Sequence, residues 1–501
     1  MGAVRGIDPS FQALPARALA GVALERARSL GSGHADFRLE RVRVGRLRLR
    51  DGRLDSSTDE EVTGLAVRVV YEGTWGFASG VALTPDTAAA LAERAVATAR
   101  TSRVLRGEPV ELAPEPVHDD VTWISAYEVN PFTVPEGERF ARLAELSRRM
   151  LAAGVDHVDA SLVQAVEHKF YADTAGTVTT QQRVRIAPQC TAFIVDAGSF
   201  SSMRTLAPPA GRGWEYLTGT GWDFDAEIAE LPGLLREHAR APSVEPGPYD
   251  LVIDPSNLWL TIHESIGHAT ELDRALGYEA AFAGMSFATP DGLGSLRYGS
   301  TVMNVTGDRT AEHGLATIGY DDDGVATRGF DLVRGGVLAG YQLNRQLAAA
   351  NGFGPSNGCA FAESAGRIPL QRMANVSLWP APDGPSTEEL IAGVDEGVYV
   401  TGDRSWSIDM QRYNFQFTGQ RFHRIERGRL AGPLRDVAYQ ARTTDFWGSL
   451  EAVGGPGTYV LGGTFGCGKG QPGQSAAVSH GCPSALFRRV NVLNTRNEGG
   501  R

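Results

Sequence analysis

Apolar and charged residues alternate through "ADFRLERVRVGRLRLRDGRLDSS", and this period of two predicts strand, turn, strand. Phe37, Leu39, Val42, Val44, Leu47 and Leu49 carry the apolar positions. The phase slips near Glu40–Arg41 and again at Gly45–Arg46, so bulges are expected there. Asp51-Gly52 is a strong hairpin signal. "VTGLAVRVVYEGTWGFASG" continues with two more strands around Glu72-Gly73. Elsewhere the pattern turns helical. An amphipathic helix is expected from Pro15 to Leu30, a second over "TPDTAAALAERAVATARTS" with Thr84 or Asp86 near its cap, and a third near Val134–Ala153. Two or three strands follow through "HKFYADTAGTVTTQQRVRIAPQCTAFIVD".

Pro242, Pro246 and Pro248 then break the chain, and we take this stretch as a domain boundary. Residues 1–240 form the expected N-terminal α/β domain with antiparallel hairpins. Residues 248–501 form the expected C-terminal β-rich domain, which opens on a helix. The fold class is therefore α+β. In the second domain, "GYDDDGVATRGFDLVRGGVLAGYQL" is a run of hairpin-like pieces and "STEELIAGVDEG" a helix. Strands return through Val398–Leu430 and "GTYVLGGTFGCGK".

Composition narrows the function. A net charge of −11 gives no general basic face, so neither nucleic acid nor an anionic membrane is an expected partner. The stripe Arg41, Arg43, Arg46, Arg48 and Arg50 reads as the solvent face of a half-buried hairpin, since no stacking aromatics accompany it. Asp321-Asp322-Asp323-Gly324 reads as a tight turn, because it lacks the alternating ligands of a calcium loop. The four cysteines are too sparse for a disulfide scaffold and fit a reducing compartment. The N-terminal stretch has no long apolar core, and Gly6 stands where myristoylation wants Ser or Thr. No run of about 18 apolar residues appears. A cytoplasmic protein is expected.

The chemistry concentrates in "TIHESIGHATELD", Thr261 to Asp273. Asp254-Pro255 starts a helix, Leu258, Ile262 and Ile266 give it a buried face, and Gly277 is a plausible stop. His263, Glu264 and His268 therefore lie inside it. A helical zinc-protease motif spaces its histidines four apart, whereas His263 and His268 are five apart. On an ideal helix, four residues leave side chains about 40° apart and five leave them about 140° apart. Both rings can reach one ion only if the helix carries an extra residue as a π-type bulge, or unwinds locally. Gly267, beside His268, is the residue type that tolerates such a distortion. Glu264 would then lie beside the ion as general base.

A catalytic zinc needs a third protein ligand, and spacing does not choose it. Glu271, Asp273 and Glu279 are near; His313, Cys359, Cys467, His480 and Cys482 are distant. Cys467 stands in a glycine-rich stretch that allows close backbone approach, between Gly466 and Gly468 and near Lys469, which would favour its thiolate. A buried hydrophobic role is equally open for it.

With "HESIGHATELD" and "FGCGKGQPGQS" both in place, the sequence resembles the TldD/PmbA family of metallopeptidases. The resemblance also covers "VLAGYQLNRQLA", "RIPLQRMANVSL" and "VNVLNT". It implies a two-domain zinc peptidase with Zn2+ held by His263, His268 and Cys467, and Glu264 as general base. It further implies short or unfolded peptides, or peptide-like natural products, as substrates. It implies a homodimer or a heterodimer with a metal-free paralogue; this chain resembles the metal-bearing subunit. His480 and Cys482 depart from the family pattern and are read as packing. The group that stabilises the oxyanion is not located; Lys469 and His480 are candidates. Two alternatives stand beside this. One is a peptidase like dipeptidyl peptidase III, with Glu271 or Glu279 as third ligand. The other is a non-catalytic partner subunit or scaffold.

Overall fold

A computed structural model describes residues 6–105, 107–196, 199–470 and 473–498. The Met1-Gly2 start and the Gln471-Pro472 pair after Cys467 lie outside the described residues. The fold is mixed α and β, as expected.

The N-terminal half is built on one sheet. Its strands are β1 (His34–Arg50), β2 (Arg53–Tyr71), β3 (Thr74–Gly80), β4 (Val121–Ile124), β5 (His157–Asp173), β6 (Val178–Asp196) and β7 (Ser199–Arg204). Their order is β3-β2-β1-β5-β6-β4, with β7 also on β6. Only β4 runs parallel to its neighbour. Asp51-Gly52 and Glu72-Gly73 turn the two hairpins with φ of 52° and 73°, and 46° and 71°. Paired positive φ matches the right-handed strand twist. β2 runs unbroken between these turns, so the polar stretch Asp55–Glu61 is an exposed strand and not a connection.

The bulges expected at Glu40–Arg41 and Gly45–Arg46 do not occur. β1 keeps its register with β5 throughout and slips against β2 only between Arg48 and Leu49. The odd-numbered face holds Phe37, Leu39, Leu47 and Leu49 in one phase, and Arg41 and Arg43 share that face. Their guanidinium groups lie over Phe11 and Phe132, at 5.5 and 4.5 Å from the ring centres. Arginine can cover apolar surface with its stem and an aromatic face with its head, which hides the true phase. The stripe is thus split. Arg46, Arg48 and Arg50 alone occupy the opposite, exposed positions.

Four helices cover the odd face. Ala16–Ser29 and Pro85–Ser102 pack over one end, Glu136–Ala152 and Phe224–Arg240 over the other. Thr84 caps the second by accepting from the Thr87 amide. The sequence pattern does not anticipate Phe224–Arg240, which carries Pro232 inside it.

The even face is buried too, but by charge. Asp36, Arg38, Glu40, Arg68 and Lys169 meet the C-terminal half there. Lys169 Nζ donates to Asp322 Oδ1 (2.6 Å), Arg68 Nη2 to Asp323 Oδ1 (2.7 Å) and Arg38 Nη2 to the Arg367 carbonyl (2.7 Å). Asp321 closes the expected turn by accepting from the amides of Asp323 and Val325. The turn is no solvated loop: its carboxylates are anchors between the halves. Burial, and then Asp323, push Asp321 up to about 8.

In the C-terminal half, Gly247–Ile253, Ala485–Asn494, Val437–Arg442, Asn414–Glu426 and Glu396–Ile408 pair in that order, and the last pairs back to the first. Phe415, Phe417, Tyr439, Phe446 and Phe487 form its aromatic core. The hairpin Val460–Lys469 with Gln474–Cys482 stands apart from this ring. No helix among the described residues is long and apolar enough to cross a membrane.

β3 passes so close to the helix Pro85–Ser102 that a Cβ on Gly76 would lie 1.9 Å from the Ala95 carbonyl oxygen. Gly76→Ala is expected to cost at least about 1–3 kcal/mol, read as a lower unfolding midpoint.

Candidate metal centre

The helix Pro255–Ile262 starts as its sequence predicts: Asp254 accepts from the Ser256 amide and Pro255 occupies the first turn. Leu258, Ile262 and Ile266 are fully buried. The next turn, His263–Gly267, is a π-helix. Its defining bond runs from the His268 amide to the His263 carbonyl, five residues back, at 3.0 Å. The extra residue swings the second imidazole toward the first, and the ring centres are 4.7 Å apart.

A wide turn frees backbone carbonyls, and buried carbonyls need donors. Gln342 Nε2 donates to the Gly267 carbonyl (2.7 Å), Thr270 Oγ1 to that of Ile266 (2.8 Å), and the Tyr298 hydroxyl to that of Ser265. Gly267 itself is explained differently from the sequence reading. Its φ is not left-handed; a Cβ there would stand 2.7 Å from Met373 Sδ. The glycine admits a neighbour more than it admits a distortion. The helix also does not reach Gly277. It breaks after His268, and Gly277, with φ of 87°, ends the short helix Leu272–Ala275 instead.

Cys467 arrives on the separate hairpin, whose register shifts between Thr464 and Cys467. Gly466 and Gly468 face open space, so they are not what permits the approach; Gly462 is, because Trp259 Cβ lies 2.9 Å from where its own Cβ would be. Cys467 Sγ is 3.8 Å from His268 Nε2. One donor atom each from His263, His268 and Cys467 lie within 4.8 Å of one another, and all three residues are buried.

Hydrogen bonds behind the rings fix which nitrogen faces the cluster. His480 Nδ1 is 2.9 Å from the Val376 carbonyl, which can only accept, so Nδ1 carries the proton. Burial, and then the neighbouring His263, push His480 well below the ordinary imidazole value, so it is neutral and its Nε2 is an acceptor. His263 Nδ1, 2.7 Å from that Nε2, therefore donates. His268 Nδ1 likewise donates to Glu271 Oε2 at 2.8 Å. With Nδ1 engaged behind each ring, Nε2 is the nitrogen that would bind a metal.

The electrostatics agree with this donor set. Burial opposes a charge on Cys467, but His268 and Arg372 outweigh it and hold the thiol below its usual value. Burial pushes Cys190 and Cys359 up to about 12 and Cys482 well above the usual thiol value. Burial also opposes the Glu264 charge, yet His268, His263 and Arg412 hold that carboxyl below its ordinary value. Arg412 Nη1 donates to Glu264 Oε2 at 2.8 Å.

The remaining candidates fall elsewhere. Glu271 lies behind His268, on the Nδ1 side, and binds Arg274 Nε and Lys469 Nζ. Glu279 sits by Arg274 and the Gly470 amide. His313 contacts the Gly211 carbonyl and Cys482 the Pro255 carbonyl. Lys469 and His480, the two oxyanion candidates, are both fully engaged. Lys469 is held by Glu271, Asp273 and Gln371, and both ring nitrogens of His480 are committed. Sequence reasoning misses Arg412 altogether. The one local signal near it is Asp409, whose carboxylate accepts from the amides of Gln411 and Tyr413 and so builds the turn.

The cluster opens into a cleft of about 510 Å³ between the two halves. Ser161, Val163 and Gln189 of the N-terminal sheet line one wall, and Trp406 and Phe465 the other.

Two buried histidines at a π-turn and a buried cysteine on a separate hairpin thus form a donor set that could hold a metal, facing a cleft that also holds a carboxylate. Two family profiles match the chain: "PmbA/TldA metallopeptidase domain 1" over residues 35–99 and "PmbA/TldA metallopeptidase C-terminal domain" over residues 246–494. The chain belongs to this TldD/PmbA family. A metalloprotease of Methanothermobacter thermautotrophicus is 28% identical over 92% of this chain and 96% of its own. A zinc metalloprotease TldD homolog of Saccharolobus solfataricus is 24% identical over 94% of this chain and 98% of its own. The solved structure of TldE from Thermococcus kodakarensis shares the fold, with a TM-score of 0.70 at 14% identity, covering 95% of this chain and 99% of that one.

Glu271→Gln would leave Lys469 and Arg274 buried with only half their counter-charge. It is expected to cost about 3–5 kcal/mol, seen as a lower unfolding midpoint of the metal-free protein. Glu264→Gln, whose partner Arg412 keeps the Ala283 carbonyl and partial exposure, should cost clearly less.

Proposed function

We propose that this protein is a zinc-dependent peptidase that hydrolyses amide bonds of short or unfolded peptides, or of peptide-like natural products. The observation that carries the reading is the pair of fixed imidazole tautomers aimed at Cys467 with Glu264 alongside. His263, His268 and Cys467 would hold the ion: two neutral nitrogens and a thiolate are a donor set that suits zinc. Bound zinc supplies Lewis-acid polarisation and lowers the pKa of water. The zinc metalloprotease name of the Saccharolobus relative supports that choice.

The chain's own groups do the rest. Arg412 engages Oε2 of Glu264, which leaves Oε1 to accept a proton from the attacking water. The same carboxyl then delivers that proton to the leaving nitrogen. His480 and Glu271 hold the two imidazoles in their metal-binding tautomer. Gly463, Thr464, Phe465 and Gly466 line the cleft, on a strand that pairs with the Gln474–Cys482 strand alone among the named strands. An extended peptide adding to that edge would find main-chain hydrogen bonds without a sequence requirement. We further propose that the protein works in the cytoplasm as a dimer, with an identical chain or a metal-free paralogue; the fold shared with TldE supports a paired subunit. Four free, buried cysteines support a reducing compartment.

Two substitutions test the reading. Glu264→Gln should abolish cleavage of an unfolded peptide panel, followed by mass spectrometry, while the zinc content stays at that of wild type. Cys467→Ala should lose zinc, measured by elemental analysis; full retention would remove Cys467 from the site and return the third-ligand question to Glu271 or Glu279.

A further inference from the structure

Among the described residues, four cations surround the donor cluster, and three are locked in place. Lys469 is held by Glu271, Asp273 and Gln371. Arg274 is fully buried between Glu271 and the Ala283 carbonyl. Arg372 donates to the carbonyls of Cys467 and Gln474 and is 1% exposed. Arg412 differs from all three. Nη1 bonds Glu264 and Nη2 bonds the Ala283 carbonyl at 2.9 Å; its buried Nε, like that of Arg372, has no hydrogen-bond partner, but its side chain, alone of the four, remains partly exposed at 13%.

The backbone makes a special arrangement to bring it there. Arg412 has φ of 61°, a left-handed conformation that a non-glycine residue adopts only when its surroundings impose it. Its amide donates to the Asp409 carbonyl (3.1 Å), and its carbonyl accepts from Thr443 Oγ1 (2.7 Å).

We propose that Arg412 positions Glu264 and presents its guanidinium to the oxyanion that forms when water adds to the substrate amide. The proposal rests on the peptidase reading above. In that step a C–O bond forms, the carbonyl π pair moves onto the carbonyl oxygen, and the water proton passes to Glu264. The carboxylate loses its charge as the oxyanion gains one. The attacking water must lie within a hydrogen-bond length of Glu264, whose other oxygen accepts from Arg412 at 2.8 Å, so the new anion arises one carboxylate away from the guanidinium. As the carboxylate takes the proton, the counter-charge of this fixed cation passes from the base to the oxyanion. When the C–N bond breaks, the pair on oxygen reforms the carbonyl, the nitrogen takes the proton from Glu264, and Arg412 returns to its carboxylate.

The positive φ also supplies a clean variant. Glycine is at ease at φ of 61°, so Arg412→Gly removes the side chain without straining the turn. Arg412→Lys keeps the charge. In the zinc-loaded full-length chain, inorganic phosphate serves as a tetrahedral oxyanion probe by calorimetry. Arg412→Gly should bind it at least about 10-fold more weakly than wild type, and Arg412→Lys within about 3-fold, with zinc content unchanged in both. On a peptide that wild type cleaves, Arg412→Gly should lower kcat about 100-fold with KM within about 3-fold, and Arg412→Lys should recover part of the loss. Equal phosphate affinity in wild type and Arg412→Gly, no binding to wild type, or a change in KM alone overturns the proposal. Phosphate binding that depends on Arg412 in a wild type that cleaves no peptide would remove the peptidase reading and leave the anion role of Arg412 standing.

Discussion

The site depends on one widened helical turn. A single hydrogen bond from the His268 amide to the His263 carbonyl replaces the ordinary one and adds a residue to the turn. Without it the two imidazoles diverge by about 140°. With it they face one donor cluster. A π-turn in water is less stable than the α-turn it replaces, so the surroundings must hold it. Gln342, Thr270 and Tyr298 satisfy the carbonyls it frees, and Met373 packs where any side chain on Gly267 would stand. Gln342 also accepts from the Ala374 amide, which ties the turn to the segment that carries Arg372 and Met373. The turn is thus set by tertiary contacts, which explains why two segments so far apart in sequence converge on it.

That dependence also sets what the sequence can reveal. Asp254-Pro255, Asp51-Gly52, Glu72-Gly73 and the Thr84 cap are legible because each acts on its own neighbours. The π-turn is legible because five-residue spacing of two histidines asks for either a π-type bulge or local unwinding, and the first is what forms. The third donor is different. Residue pattern leaves Cys467 level with several others, and only the family resemblance singles it out. Arg412 and the orienting contact of His480 are not legible at all. They meet Glu264 and His263 across 148 and 217 residues, and the one local sign, the turn-building Asp409 near Arg412, does not point to Glu264.

β1 carries the converse lesson. Its apolar phase looks broken because the strand is buried on both faces over Ala35–Glu40, one against helices and one against charge. Alternation is a signal of one wet face, and it fails where a sheet is an inner layer. The charged face is costly to bury, so its ions must be paired. Asp322 and Asp323, on the expected tight turn, supply the counter-charges from the other half of the chain. β5, which carries Lys169 of this junction, also carries Ser161 and Val163 to the wall of the cleft.

The use of a thiol follows from the same geometry. The carboxylate nearest to His268 in the chain is Glu271, three residues on, and that position puts it behind the ring at Nδ1. A residue cannot both orient a ring from behind and donate beside its Nε2. Local sequence can therefore supply the orienting group but not the third donor, which must come from a separate strand. On such a strand a short side chain suffices if the backbone comes close, and Gly462 against Trp259 brings the hairpin close. A buried thiolate there would ordinarily be unfavourable, since burial alone raises a thiol, as it does at Cys190 and Cys359. His268 and Arg372 reverse that balance at Cys467. His268 in the turn and Arg372 against the hairpin are therefore the residues that hold this thiol below its usual value.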